Sequence, residues 1–194
     1  KFTKMSLISD QAQDFSKLLS NLPLAMIGAA IYGLDIDLFS SVRGRYNAQH
    51  NLPSPPIDSL LMQAQAIAKV HTLQNQIAVL DMTGVEDIVP ILEKNAEATR
   101  RVRGAITYLF SEKKSIKNLG APLLDMPTLT HASLVNDMLF LAPSEASITE
   151  LLTQLYNGYS LGSDEQFEGL LDEIPNESSL LFVGVESFFS KQMN

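Results

Sequence analysis

Gly158-Tyr159-Ser160-Leu161-Gly162 spells G-x-S-x-G, the spacing with which α/β-hydrolases present a nucleophilic serine on a sharp strand-to-helix turn. The surroundings do not suit that chemistry. Helical spacing leads up to the serine where a strand is needed, and no histidine follows Ser160 to take its proton. Hydrolysis at Ser160 therefore ranks last among the readings, and no catalytic residue is assigned. His50, His71 and His131 stand on three separate predicted elements, none with a metal-ligand residue three or four positions on. His131 reads as a structural histidine. Asp81, Glu86 and Asp87 surround Thr83-Gly84 after a predicted strand, a place that can hold magnesium or phosphate. One glycine is too little to cradle a phosphate, and acids at a helix start explain the group. Asp164, Glu165, Glu168, Asp172 and Glu173 lack the alternating loop ligands and turn glycine of a calcium loop, and read as the solvated face of a helix. No metal or cofactor is expected.

The remaining chemistry is charge. Between Lys94 and Lys117 seven bases face two acids, and Arg100, Arg101, Arg103, Lys113, Lys114 and Lys117 form the candidate partner-binding group. From Asn118 to Ser190 there is no Lys or Arg, but eleven acids. One reading is two surfaces that attract each other within the fold. The other is a basic patch for an anionic partner, or an acidic face for a basic protein. A formal net charge of −8 opposes nonspecific binding to nucleic acid or to an anionic membrane.

These residues need a scaffold, and 194 residues that are 45% apolar can bury one substantial core or two small ones. The absence of cysteine removes disulfides and thiolate chemistry. The longest apolar run, Leu22 to Leu34, is shorter than the roughly 20 residues that span a bilayer. Any membrane anchor is expected outside the chain, which starts at Lys1 and reads as a processed or excised piece.

Spacing predicts a helix from Asp10 to Asn21 stopped by Pro23, then a buried strand over Ala25 to Gly33. A loop at Pro53-Ser54-Pro55-Pro56 opens a helix from Ile57 to Val70, with Ile57, Leu60, Leu61, Ala64 and Ala68 on one face. Met62, Ala64, Ala66 and Ala68 on that helix suit close packing. Ile77 to Leu80 reads as a strand, Val85 to Thr99 as a helix that tolerates Pro90 only near its first turn, and Gly104 to Ser111 as a strand. A polar loop runs to Met126. Thr128 to Val135 and Met138 to Ala142 flank Asn136-Asp137, a dipeptide suited to a hairpin, and Ser144 caps a helix from Glu145 to Tyr156. Near the C-terminus, Ser163 and Gln166 stand at capping-box spacing before a helix, and Leu180 to Val185 reads as a strand. The fold class expected is α+β, a mixed, largely antiparallel sheet with packed helices.

The chain also echoes itself. Ser6-Leu7, Asp10, Phe15, Leu18-Leu19, Leu22-Pro23 and Gly33 reappear as Ser160-Leu161, Asp164, Phe167, Leu170-Leu171, Ile174-Pro175 and Gly184. Each copy is a helix-Pro-strand unit. Residues 1–41 then read as the end of a first repeat unit and 42–194 as a second, packed together as one compact domain. Ser6 lacks the glycines that flank Ser160, which again disfavours a nucleophile there.

Gly104-Ala105-Ile106-Thr107-Tyr108, the hairpin Val135 to Leu141, the helix from Ser144 to Leu152, and Ser160-Leu161 with Phe167 and Ile174-Pro175 carry a family resemblance. Over residues 104–190 the chain resembles the bacterial domain of unknown function 3352, found in proteins placed outside the cytoplasmic membrane. The resemblance implies an anchored envelope protein in the periplasm or cell envelope and brings no catalytic residues. The leading expectation is a non-enzymatic binding or scaffold module that recognises a protein or an apolar ligand. The alternative is a cytoplasmic regulatory or scaffold domain that holds an acidic partner on the basic segment 94–117.

Overall fold

The computed structural model describes residues 2–7, 13–34, 36–50, 58–111, 116, 119, 125–165, 167, 169 and 179–192. Among them, nine strands form one sheet: β1 (Phe2–Leu7), β2 (Gly28–Gly33), β3 (Ala64–His71), β4 (Gln76–Met82), β5 (Ala98–Val102), β6 (Ala105–Leu109), β7 (His131–Val135), β8 (Met138–Ala142) and β9 (Leu180–Val185). Their order is β1-β9-β2-β3-β4-β8-β7-β6-β5, and every neighbouring pair is antiparallel. Among the described residues they are accompanied by the helices α1 (Ser16–Ser20), α2 (Ile36–Gln49), α3 (Asp58–Leu61), α4 (Val85–Asn95), α5 (Glu145–Tyr156) and α6 (Glu186–Gln192). The fold is α+β, with the sheet covered on both faces.

The two faces carry separate cores. Leu18 and Leu19 of α1 and Ile148, Leu151 and Leu152 of α5 pack with Ile31, Val79, Phe140 and Val183 on one face. Ile88 and Leu92 of α4 and Leu60 and Leu61 at α3 pack with Ile67, Leu80, Leu139 and Leu141 on the other. Strand β8 sits between them, and all five of its residues are buried. Burying such a leucine or phenylalanine contributes about 1.5–3 kcal/mol.

Local chemistry sets the joints. Asn136 and Asp137 adopt φ of 52° and 62°, the left-handed pair that a two-residue hairpin needs. Ser144 accepts the Ser147 N–H at 3.2 Å and starts α5, which ends before Gly158 at φ +77°.

Four expectations are corrected. The helix expected from Asp10 to Asn21 is only the five residues of α1 among the described residues, with Asp14 and Phe15 outside it. Residues 64–71 form strand β3, and the helix before them is only the four residues of α3. Ala66, Ala68 and Val70 face one core, while Gln65, Lys69 and His71 alternate to the other side around a single apolar Ile67; the alternation of a strand is present, but Leu60, Leu61, Ala64 and Ala68 also fall at helical spacing and alanine favours a helix. The close packing expected of the alanines occurs within a sheet. The predicted helix from Val85 stops at Asn95, and Ala98 to Val102 pairs with β6 as an edge strand. Pro90 lies in the middle of α4, beyond its first turn, with its side chain exposed. Helix α2 was not anticipated, because its apolar and polar residues are only weakly separated around its circumference.

Strands β2 and β9, the strands of the two proposed repeat copies, are neighbours in register Gly28↔Gly184 to Tyr32↔Leu180. Strands from both proposed units thus share one sheet. Ser6 lies within β1 opposite Leu181, whereas Ser160 bridges Pro23 and begins a 3-10 turn over Leu161–Ser163. Asp10, Gln166 and Leu170 to Pro175 lie outside the described residues.

Candidate functional site

The G-x-S-x-G segment is a seam between parts of the chain. Leu24 N–H donates to the Tyr159 carbonyl at 3.0 Å, and Leu161 N–H to the Leu22 carbonyl at 2.8 Å. A side chain at position 162 would meet the Ser20 carbonyl oxygen at 2.9 Å, so Gly162 permits this close approach. Gly158 ends α5. Helix α5 precedes Ser160 and a 3-10 turn follows it, which is not the strand-serine-helix geometry of a nucleophile elbow.

The acids around Thr83-Gly84 are split by the sheet. Asp81 lies with Val79 on the α1 face, buried, with an oxygen 3.0 Å from Lys17 Nζ; Asp137 lies 3.8 Å from the same nitrogen. Glu86 and Asp87 occupy the first turn of α4 beyond the opposite face. Among the described residues, no group of three or more His, Asp or Glu side chains is placed to hold a metal ion. No helix among them is long and apolar enough to cross a membrane.

The basic candidates are separated too. Arg100 donates to both oxygens of Glu145 at 3.1 Å, and Arg103 Nε donates to Thr153 Oγ1 at 3.2 Å. Both therefore tie the β5–β6 hairpin to α5, as an attraction within the fold. Exposed pairs of this kind contribute about 0–1 kcal/mol. Arg101 lies on the other face of β5, exposed opposite Ile106. Lys113, Lys114 and Lys117 lie outside the described residues.

The three histidines are apart. His50 is exposed after α2, its ring 4.5 Å from that of Tyr46. At the start of β7, His131 Nδ1 and the Pro143 carbonyl both lie 2.8 Å from Thr130 Oγ1. The carbonyl can only accept, so Thr130 donates to it and receives the Nδ1 proton, leaving Nε2 as the basic nitrogen. His71 ends β3 and opens onto a feature that spacing did not reveal.

There, where β3 turns into β4, lies a cleft of about 630 Å³. Ile27, Pro127, Pro143 and Phe188 form its apolar walls, and His71 and the turn residues Thr72 to Gln76 complete it. The Phe188 ring meets His71 edge-on at 5.2 Å. It rests on the directly paired Gly28 and Gly184, where an added Cβ would come within 2.3 and 2.7 Å of the ring. Thr72 locks the turn: its Oγ1 accepts the Asn75 N–H at 3.0 Å and donates to the Asn75 carbonyl at 3.1 Å. Leu73, 86% exposed, stands at the tip. Comparison with family models, curated proteins and solved structures finds no match to this chain.

Burial first, and then the Lys69 charge, holds the His71 pKa below the ordinary 6.5. Burial also lowers His131, with Arg100 acting the same way and Glu145 opposing. The unfolded chain therefore takes up these protons first. Their contribution to stability is full above pH 6.5 and declines as the pH falls from there through the folded-state values. Imidazole NMR titrations should place both groups below 6.5, and His71→Gln should flatten the decline in denaturation midpoint. A midpoint that rises on acidification from neutrality would contradict this.

Proposed function

We propose that this chain is a non-catalytic recognition module of a bacterial envelope protein, and that the cleft beside the β3–β4 turn holds an extended segment of a partner protein. The envelope assignment rests on the resemblance over residues 104–190. The recognition role rests on one observation: apolar walls and a rim of three consecutive amides, Gln74, Asn75 and Gln76, surround a turn locked by its own threonine. The volume falls within the roughly 300–1,000 Å³ usual for binding clefts. Each amide offers a donor and an acceptor, the complement of a peptide group, while Leu73 offers an exposed apolar anchor.

The test begins with a photo-crosslinking side chain at position 73 in cells. A peptide spanning the captured segment should then shift the amide NMR signals of Thr72, Gln76 and Phe188, and Leu73→Arg should weaken it by about tenfold or more. Shifts confined to another surface would overturn the reading, as would filling of the cleft by a small apolar molecule that the peptide cannot displace. The alternative, a cytoplasmic scaffold domain that holds an acidic partner on segment 94–117, is favoured by one observation, the exposed Arg101.

A further inference from the structure

Strand β5 is one edge of the sheet, and its hydrogen-bond phase can be read from its neighbours. Phe110 N–H donates to the Thr130 carbonyl in the same register that pairs Thr107 with Ser133, so Tyr108 points its main-chain groups toward β7 and Thr107 points its own toward β5. Arg100, opposite Thr107, is bonded inward; Thr99 and Arg101 turn their N–H and C=O groups out to solvent.

The side chains around this open ladder are sorted by face. On the α5 face, Arg100 and Arg103 are engaged by Glu145 and Thr153, which holds the hairpin against α5. On the α4 face, Arg101 has no ion-pair partner among the described residues and stands opposite Ile106, which is 43% exposed although Tyr108, two residues along, is buried. An open ladder thus runs beside one unpaired cation and one uncovered aliphatic side chain.

We infer that β5 accepts an added strand from a partner protein, an extended segment of alternating acidic and β-branched residues. The ladder supplies affinity that is independent of sequence, Arg101 selects for acids on the α4 face, and the β-branched residues, which alternate to the other face, favour the extended conformation. An arginine at an edge discourages pairing with a second copy, whose own Arg101 would be brought close, and favours an acidic strand.

The probe is a short synthetic peptide of alternating valine and glutamate, with a valine–lysine peptide as its control. The glutamate peptide should slow hydrogen exchange at the Thr99 and Arg101 amides, and its binding should weaken as salt rises. Arg101→Glu should reduce affinity by about tenfold or more. Thr99→Pro removes an outward N–H that β6 does not use, so it should abolish binding while the circular dichroism spectrum and melting temperature stay close to those of the parent. Equal binding of the lysine peptide, unaltered binding by Thr99→Pro, protection confined to the cleft, or self-association through β5 would each overturn the inference.

Discussion

Gly28→Ala is expected to destabilise the fold about as much as Phe188→Ala, about 3–5 kcal/mol by the cost of removing a buried phenylalanine ring. The reason is geometric. Gly28 and Gly184 face each other across β2 and β9, and together they make a flat place in the sheet on which the Phe188 ring lies, 2% exposed. A Cβ at Gly28 would stand 2.3 Å from Phe188 Cγ, an atom near the root of the side chain, so the ring has to be displaced. The ring must leave, its apolar surface returns to water, and the start of α6 loses its anchor. The two changes remove one contact, so they should not add. In a Phe188→Ala background the alanine at 28 has room, and its further cost should fall below about 1 kcal/mol. Urea denaturation of the two single variants and the double one measures this. Additive losses would mean that the glycine serves something other than the ring. Because Phe188 is also a wall of the cleft, both single variants should impair partner binding.

The second large effect is asymmetric. Lys17→Met should cost about 2–4 kcal/mol, and Asp81→Leu clearly less. Asp81 is a buried carboxylate in β4 whose ion-pair partner at 3.0 Å is Lys17 of α1, while the Lys17 side chain is 48% exposed. Without the ammonium, Asp81 keeps a charge away from water, and Asp137, which shares the same nitrogen at 3.8 Å, adds repulsion. Without the carboxylate, the lysine is free to turn outward and a leucine joins the α1-side core. The double variant Lys17→Met/Asp81→Leu should recover most of the loss, and denaturation midpoints of all three decide it. An Asp81→Leu variant less stable than Lys17→Met would show that the ion pair itself holds α1 to the sheet.

Much of the scaffold was legible in short stretches of chain. Asn136-Asp137 and Ser144 act on groups a few residues away, so their effects survive any context. The β5–β6 turn was harder to read, because Arg103 occupies a φ of 53° that Asn or Gly usually takes. Residues 64–71 misled for a different reason. Alanine suits a helix, and the helical spacing of Leu60, Leu61, Ala64 and Ala68 outweighed the two-residue alternation of Gln65, Lys69 and His71 with Ala66, Ala68 and Val70.

The cleft had no local signal, since Ile27, His71, Pro127, Pro143 and Phe188 come from five separate parts of the chain and meet because the antiparallel order β9-β2-β3-β4-β8-β7 brings one end of each of these strands to the same side of the sheet. The arginines likewise formed one group in order along the chain and two in space, because neighbouring residues of a strand point to opposite faces. By itself, the sequence determined the fold class, the hairpin turn at Asn136-Asp137, the starts of α4 and α5, and the poor fit of Ser160 to a nucleophile elbow, all of which depend on residues close together. Tertiary structure alone decided which cations are already neutralised, which edge is open and where a partner could sit. Those depend on burial and on contacts between distant segments, and free energies of that kind are set only once the sheet has closed over its two cores.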